Sequence, residues 1–140
     1  MTLLIIDALN IIRRIHEAVP GADSEEKLVD TITSSLASFK RALKTHSPTH
    51  AVAVFDHGGS AWKHALHEPC QANCKPMPEN LRAGLQTIKQ ELRHLGLHWI
   101  AIEGIEAVDA IATLADKWCQ ANPDPGHHFV DRQGIFAIAK

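Results

Sequence analysis

A mostly parallel α/β sheet flanked by helices is the fold class this sequence predicts. Three observations carry it. Short apolar runs of strand length recur at Leu3 to Ile6, Ala51 to Phe55 and Leu97 to Ile102. Stripes at helical period lie between them, and acids stand where the runs end. Strands separated by helices imply βαβ units, whose neighbouring strands run parallel.

Taken in order, Thr2 to Asp7 reads as a buried strand. Ser24, followed by Glu25, Glu26 and Lys27, is a helix N-cap with acids in the first turn. Leu28, Ile32, Leu36, Phe39 and Leu43 then recur at the 3.6 spacing of one helix face. His50 to Phe55 is the second strand. From 57 to 77 the pattern breaks into Gly58-Gly59, scattered histidines, Pro69 and Pro76, the mark of a long excursion outside the core. Pro78 and Glu79 open a helix striped by Leu81, Leu85, Ile88, Leu92 and Leu95 and capped by Gly96. Leu97 to Ile102 is the third strand, and a helix runs from about Glu106 to Gln120. On it Val108 is in register with Ile111, Ala115 and Trp118, which makes it a core candidate, and Cys119 reads as a buried helix residue. Asn122 to Gly126 is a turn, His128 to Asp131 a fourth strand, and Gln133 to Lys140 begins another element.

Composition narrows the classes of function. With 140 residues, 45% of them hydrophobic, the chain has one core's worth of apolar side chains and reads as a single domain over 1–140. Fourteen basic residues against sixteen acidic leave a net charge of -2, so a polyanion would have to be met locally and not by bulk charge. No segment approaches the ~20 apolar residues that span a bilayer, and the N-terminus lacks the pattern of a secretory signal. A cytoplasmic protein with no membrane partner is the expectation. Three cysteines without a signal argue for reduced thiols.

The chemistry sits at the strand ends. Asp7 and Asp56 close the first two strands, and Glu106 and Asp109 stand where the last long helix begins. In an open parallel sheet, functional groups collect in the crevice beyond the carboxyl ends of the strands. Carboxylates gathered there repel unless a cation joins them, and a hard divalent metal suits them. Glu106 and Asp109, three apart, share a helix face. A plainer reading of each acid is a helix cap or turn residue. Arg13 and Arg14 could reach a phosphate or simply be solvated, and Trp62 could anchor the base of the excursion or stack on a base.

Five segments together carry a resemblance: Ile5-Ile6-Asp7-Ala8-Leu9-Asn10, Ala51 to Asp56, Trp62-Lys63-His64, Pro76-Met77-Pro78-Glu79 and Gly104-x-Glu106-Ala107-x-Asp109. In order and approximate spacing they resemble the bacterial flap-endonuclease-like 5′-nucleases, the exonuclease IX (Xni) type above all. The resemblance runs over essentially the whole chain and matches the N-terminal part of that family's longer protein, without its C-terminal duplex-binding region. It implies a PIN-like, 5′-3′ exonuclease N-terminal domain that hydrolyses DNA phosphodiesters at 5′ ends or flaps with Mg2+ or Mn2+. Asp7, Asp56, Glu106 and Asp109 match the metal-site acids, and the 57–77 excursion matches the arch that guides single-stranded DNA.

Departures from the family pattern are specific. Val108 stands where a metal-binding aspartate is typical. Arg132, in Asp131-Arg132-Gln133-Gly134, takes the place of another, although a one-residue slip would bring Asp131 into the ligand set. In the arch, Cys70-Gln71-Ala72-Asn73-Cys74 replaces a stacking tyrosine and two cations, leaving Lys63 and Lys75 with Arg13 and Arg14 as the phosphate-binding candidates. His64, His67, Cys70 and Cys74 fall within eleven residues and could in principle hold zinc, but Pro69 interrupts the spacing. The expectation is a 5′-nuclease domain with an impaired metal site. A catalytically silent DNA-binding or structural remnant and a PIN-type ribonuclease stand as alternatives, and the oligomeric state is left open.

Overall fold

The computed structural model describes residues 2–21, 24–56, 77–123, 128–132 and 134–139, with side chains left out at 128–132 and 139. The arch excursion, with Trp62, Lys63, Lys75 and the His64, His67, Cys70, Cys74 group, lies outside the described residues.

Five strands form one sheet in the order β3-β2-β1-β5-β4. They are β1 (Leu3–Asp7), β2 (His50–Asp56), β3 (His98–Ile102), β4 (His128–Arg132) and β5 (Ile135–Ala139). The described helices are α1 (Ala8–Ala18), α2 (Glu25–His46), α3 (Glu79–His94) and α4 (Ala107–Ala121). β1, β2 and β3 pair in parallel, as crossover connections require. The sheet is mixed, because β5 runs antiparallel to both β1 and β4. Arg132 pairs with Ile135, so β4 and β5 turn back on each other through two residues, which a hairpin can do and a parallel pair cannot.

β1 is the central strand, and its continuous run Leu4-Ile5-Ile6 is fully buried because helices cover both faces. Side chains alternate across the pleat. Leu4 and Ile6 join Ala53 and Phe55 in the larger core with α1, α2 and α3. Leu3, Ile5 and Val54 pack instead with Ala107, Ala110 and Ile111 of α4. At the opposite end of the strands, the Thr2 amide donates to Thr49 Oγ1, which itself donates to the Thr2 carbonyl, holding the β1–β2 register. Lys89 of α3 lies over the rings of Trp99 and Phe55, 4.5 and 5.0 Å from their centroids, and burial pushes its pKa down.

The caps follow the sequence. Ser24 Oγ accepts the Lys27 amide at 3.2 Å. α3 ends in a Schellman turn: Gly96, at φ 76°, donates to the Arg93 carbonyl and Leu97 to the Leu92 carbonyl. Two expectations change. Val108 is 66% exposed and is no core residue. The buried face of α4 centres on Ala107, Ala110 and Ile111, and Val108 lies about 100° round the helix from Ala107. Cys119 is only partly buried.

Replacing Ser24 by Ala should lower stability by about 1 kcal/mol, and by Gly only a few tenths, measured as shifts of the urea midpoint. No loss on replacing Ser24 by Ala would show that the hydroxyl is not the cap.

Candidate functional site

Asp7 and Asp56 end neighbouring parallel strands and point to the same face, the one that carries α4. The alternation explains it: Leu3 and Ile5 precede Asp7 on that face, and Val54 precedes Asp56. Asp7 pairs across the ladder with Val54, so the two acids are staggered by two residues. Each is only 8% exposed.

Their oxygens are unevenly satisfied. Asp56 Oδ1 accepts the Ala107 amide at 2.5 Å, which satisfies one of the amides that the start of α4 leaves without an intrahelical partner. Asp56 Oδ2 and Asp7 Oδ1 are buried without a hydrogen-bond partner among the described residues. Burial pushes the Asp7 carboxyl up from 3.8 to about 6, and the negative charge of Asp56 adds to the rise, while Asn10 and Arg13 hold it back. Gly134 presses close: its carbonyl accepts the Asp7 amide at 2.7 Å. A Cβ built there would lie 3.6 Å from Asp7 Cβ and 3.4 Å from Asn10 Nδ2. Its φ of 92° suits glycine alone without strain. The β4–β5 turn is thereby held against Asp7.

Glu106 is the N-cap residue of α4 and Asp109 lies in its first turn, both exposed. Among the described residues, no three His, Cys, Asp or Glu side chains are gathered into a ready ligand set. Asp131 and Arg132 lie in β4, next to the turn that meets Asp7, and their side chains are outside the description. Arg13 is buried, with its guanidinium 3.1 Å from Glu17 one helical turn on, so it is neither solvated nor presented outward. Arg14 is half-buried.

Two buried oxygens with no donor, on acids close enough to repel, are a chemical fit to a hard divalent cation. A family model described as "5'-3' exonuclease, N-terminal resolvase-like domain" matches residues 2–126. The chain belongs to that family. Among curated relatives, the flap endonuclease Xni of Psychromonas ingrahamii is 39% identical over 118 residues, 83% of this chain and 45% of the relative. Those of Aliivibrio fischeri and Vibrio vulnificus are 38% and 42% identical, covering 86% and 84% of this chain and 46% and 45% of the relatives. The chain thus spans about half the length of the curated relatives it matches. No helix among the described residues of this 5′-3′ exonuclease family domain is long and apolar enough to cross a membrane.

The raised Asp7 pKa has a definite sign. Between about pH 4 and 6 the unfolded chain has lost the proton that the folded state keeps, so stability falls as pH rises through that window, by roughly 2–3 kcal/mol. In metal-free buffer Asp7→Asn should remove that fall and make the variant more stable than wild type at pH 7, by urea denaturation across pH 4–7. A stability difference between wild type and Asp7→Asn that stays constant over the same window would contradict the geometry.

Proposed function

We propose that the chain is the nuclease part of a divalent-metal-dependent 5′-3′ exonuclease or flap endonuclease acting on DNA with 5′ ends or flaps, with a metal site that has lost ligands. The observation that supports it most is the pair of buried, partly unsatisfied carboxylates at the ends of β1 and β2. Asp7 and Asp56 would hold a Mg2+ or Mn2+ ion, with Glu106 and Asp109 on the first turn of α4 and Asp131 on β4 as further donors. The chemistry supplied at such a site is Lewis-acid polarisation of the scissile phosphodiester and a source of hydroxide at neutral pH.

The chain's own residues prepare the site in three ways. The Ala107 amide fixes the Asp56 carboxylate, so its other oxygen faces the site without rotamer freedom. Burial of both acids lowers the local dielectric, which strengthens their attraction for a cation. Gly134 brings the β4–β5 turn against Asp7 where a larger residue would be strained.

Val108 occupies an exposed position between Glu106 and Asp109, where the family pattern has an aspartate and where nothing in the packing calls for an apolar side chain. Valine has no donor, and Arg132 stands in the sequence where the family pattern has another aspartate. Losing transition-state charge stabilisation of this kind costs several kcal/mol, or several powers of ten in rate. A silent DNA-binding remnant is the reading that those losses favour if no cleavage is found.

The test follows manganese binding by calorimetry and manganese-dependent cleavage of a labelled 5′-flap DNA and a single-stranded RNA. Wild type should bind at most one weak ion and cleave little; the Val108→Asp, Arg132→Asp double variant should cleave the flap faster by at least an order of magnitude. Unchanged manganese binding in the Asp7→Asn, Asp56→Asn double variant would discard the metal site. Cleavage of RNA alone would move the assignment to a PIN-type ribonuclease.

A further inference from the structure

β3 lies at one edge of the sheet, and among the described residues it has a strand partner, β2, on one side only. Its register with β2 runs unbroken from His98 opposite Val52 to Ile102 opposite Asp56, so no bulge twists the outer side away. A strand in that position presents a row of backbone amides and carbonyls to whatever comes beside it, and such edges are ordinarily blunted by charged residues or proline. β3 reads His98-Trp99-Ile100-Ala101-Ile102 and has neither. The opposite edge, β4, carries Asp131 and Arg132.

The two ends of β3 differ in character. Arg93, near the end of α3, has its guanidinium 5.6 Å from the centroid of the Trp99 ring, which holds a fixed positive charge beside the start of the strand. His94 is met by Glu91 at 3.7 Å, so Arg93 is the cation available there. At the same end, Arg93, Gly96, Leu97, His98 and Trp99 line a hollow of about 410 Å3. The other end is the reverse: Glu103 is exposed, and Ile102 and Ile105 are 41% and 44% exposed. An edge with a cation and a hollow at one end, and an acid and exposed apolar side chains at the other, is complementary to its own reverse. A second copy running antiparallel sets each Arg93 end against the other copy's Glu103 end, whereas a parallel copy would set like charge against like.

We propose that β3 is a self-association edge, to which a second copy of this chain adds its own β3 antiparallel, with Ile100 at the centre. The sheet then continues through both copies. A two-fold axis normal to the sheet relates them, and such a pairing closes at two. With Ile100 opposite Ile100, His98 stands opposite Ile102 of the second copy and Trp99 opposite Ala101, so all five residues of each strand are paired. The acids at the ends of β1 and β2 play no part in this contact, and it does not depend on the nuclease reading.

Sedimentation equilibrium of the whole chain under reducing conditions reads the association. The mass should rise with concentration to a plateau at twice that of the chain. Ile102→Lys, at an exposed position, places a charge on the edge and should weaken association at least roughly tenfold. Arg93→Glu should weaken it as well, and adding Glu103→Arg to that variant should restore it, which a merely structural role for Arg93 would not do. Cross-linking reads the register. With Cys70, Cys74 and Cys119 replaced by serine, a mixture of His98→Cys and Ile102→Cys proteins should form disulfide dimers faster than either protein alone, because directly opposed residues have Cβ atoms only ~5 Å apart. A chain that stays monomeric at every concentration would overturn the proposal and leave the edge to a foreign strand. So would a mass that climbs past two copies without a plateau, a dimer indifferent to Ile102→Lys, or cross-linking as fast in the single-variant samples as in the mixture.

Discussion

Two carboxylates held side by side at the ends of buried strands are the constraint around which the rest of the site is arranged. Nothing in a hydrophobic core favours an acid there. Asp7 follows the buried Leu4-Ile5-Ile6 run of the central strand, and its pKa rises to about 6 because the core has removed its water. A protein selected for stability alone would place an apolar residue or a neutral cap at this position. Local rules that fail this way in an otherwise consistent fold mark functional sites.

The same pair organises its surroundings. Asp56 spends one oxygen on the start of α4, and that bond seats Ala107 beside the sheet, with Ala110 and Ile111 packing on Leu3, Ile5 and Val54. The helix that closes one face of the core is thus positioned by the Asp56 side chain. Asp7 is met from the other side by Gly134, which ties the antiparallel hairpin of β4 and β5 to the crevice. Packing and chemistry are not separable here, because the residue that caps α4 is also a candidate ligand.

Much of this was legible in the sequence, for physical reasons that differ by element. β1 and β2 are short apolar runs ending in aspartates and β3 is a third such run, ending in Ile102, and buried parallel strands have that pattern. α2 and α3 show clean helical stripes with a serine cap and a glycine stop. α1 is not legible as an element: Ile11, Ile12 and Ile15 are interrupted by two arginines, and the burial of Arg13 against Glu17 has no periodic signature. The direction of β5 was not legible either, since a two-residue reversal and a crossover leave similar apolar runs behind. Val108 misled because it shares a spacing with Ile111, Ala115 and Trp118, but the true stripe passes through Ala107 and Ala110. Convergence of Asp7 and Asp56 could be inferred from strand ends alone. The support that Asp56 provides to Ala107 and the edge position of β3 depend on tertiary placement.

The central claim is that Asp7 and Asp56 share one buried, electrostatically coupled site. Carbon-detected NMR titration of the Asp7 carboxyl, in metal-free wild type and in Asp56→Asn, reads that coupling directly, since asparagine can still accept the Ala107 amide. Asp7 should titrate near 6 in wild type and lower in the variant, where the neighbouring charge is gone. An Asp7 that titrates near its ordinary 3.8 in both proteins would contradict the account.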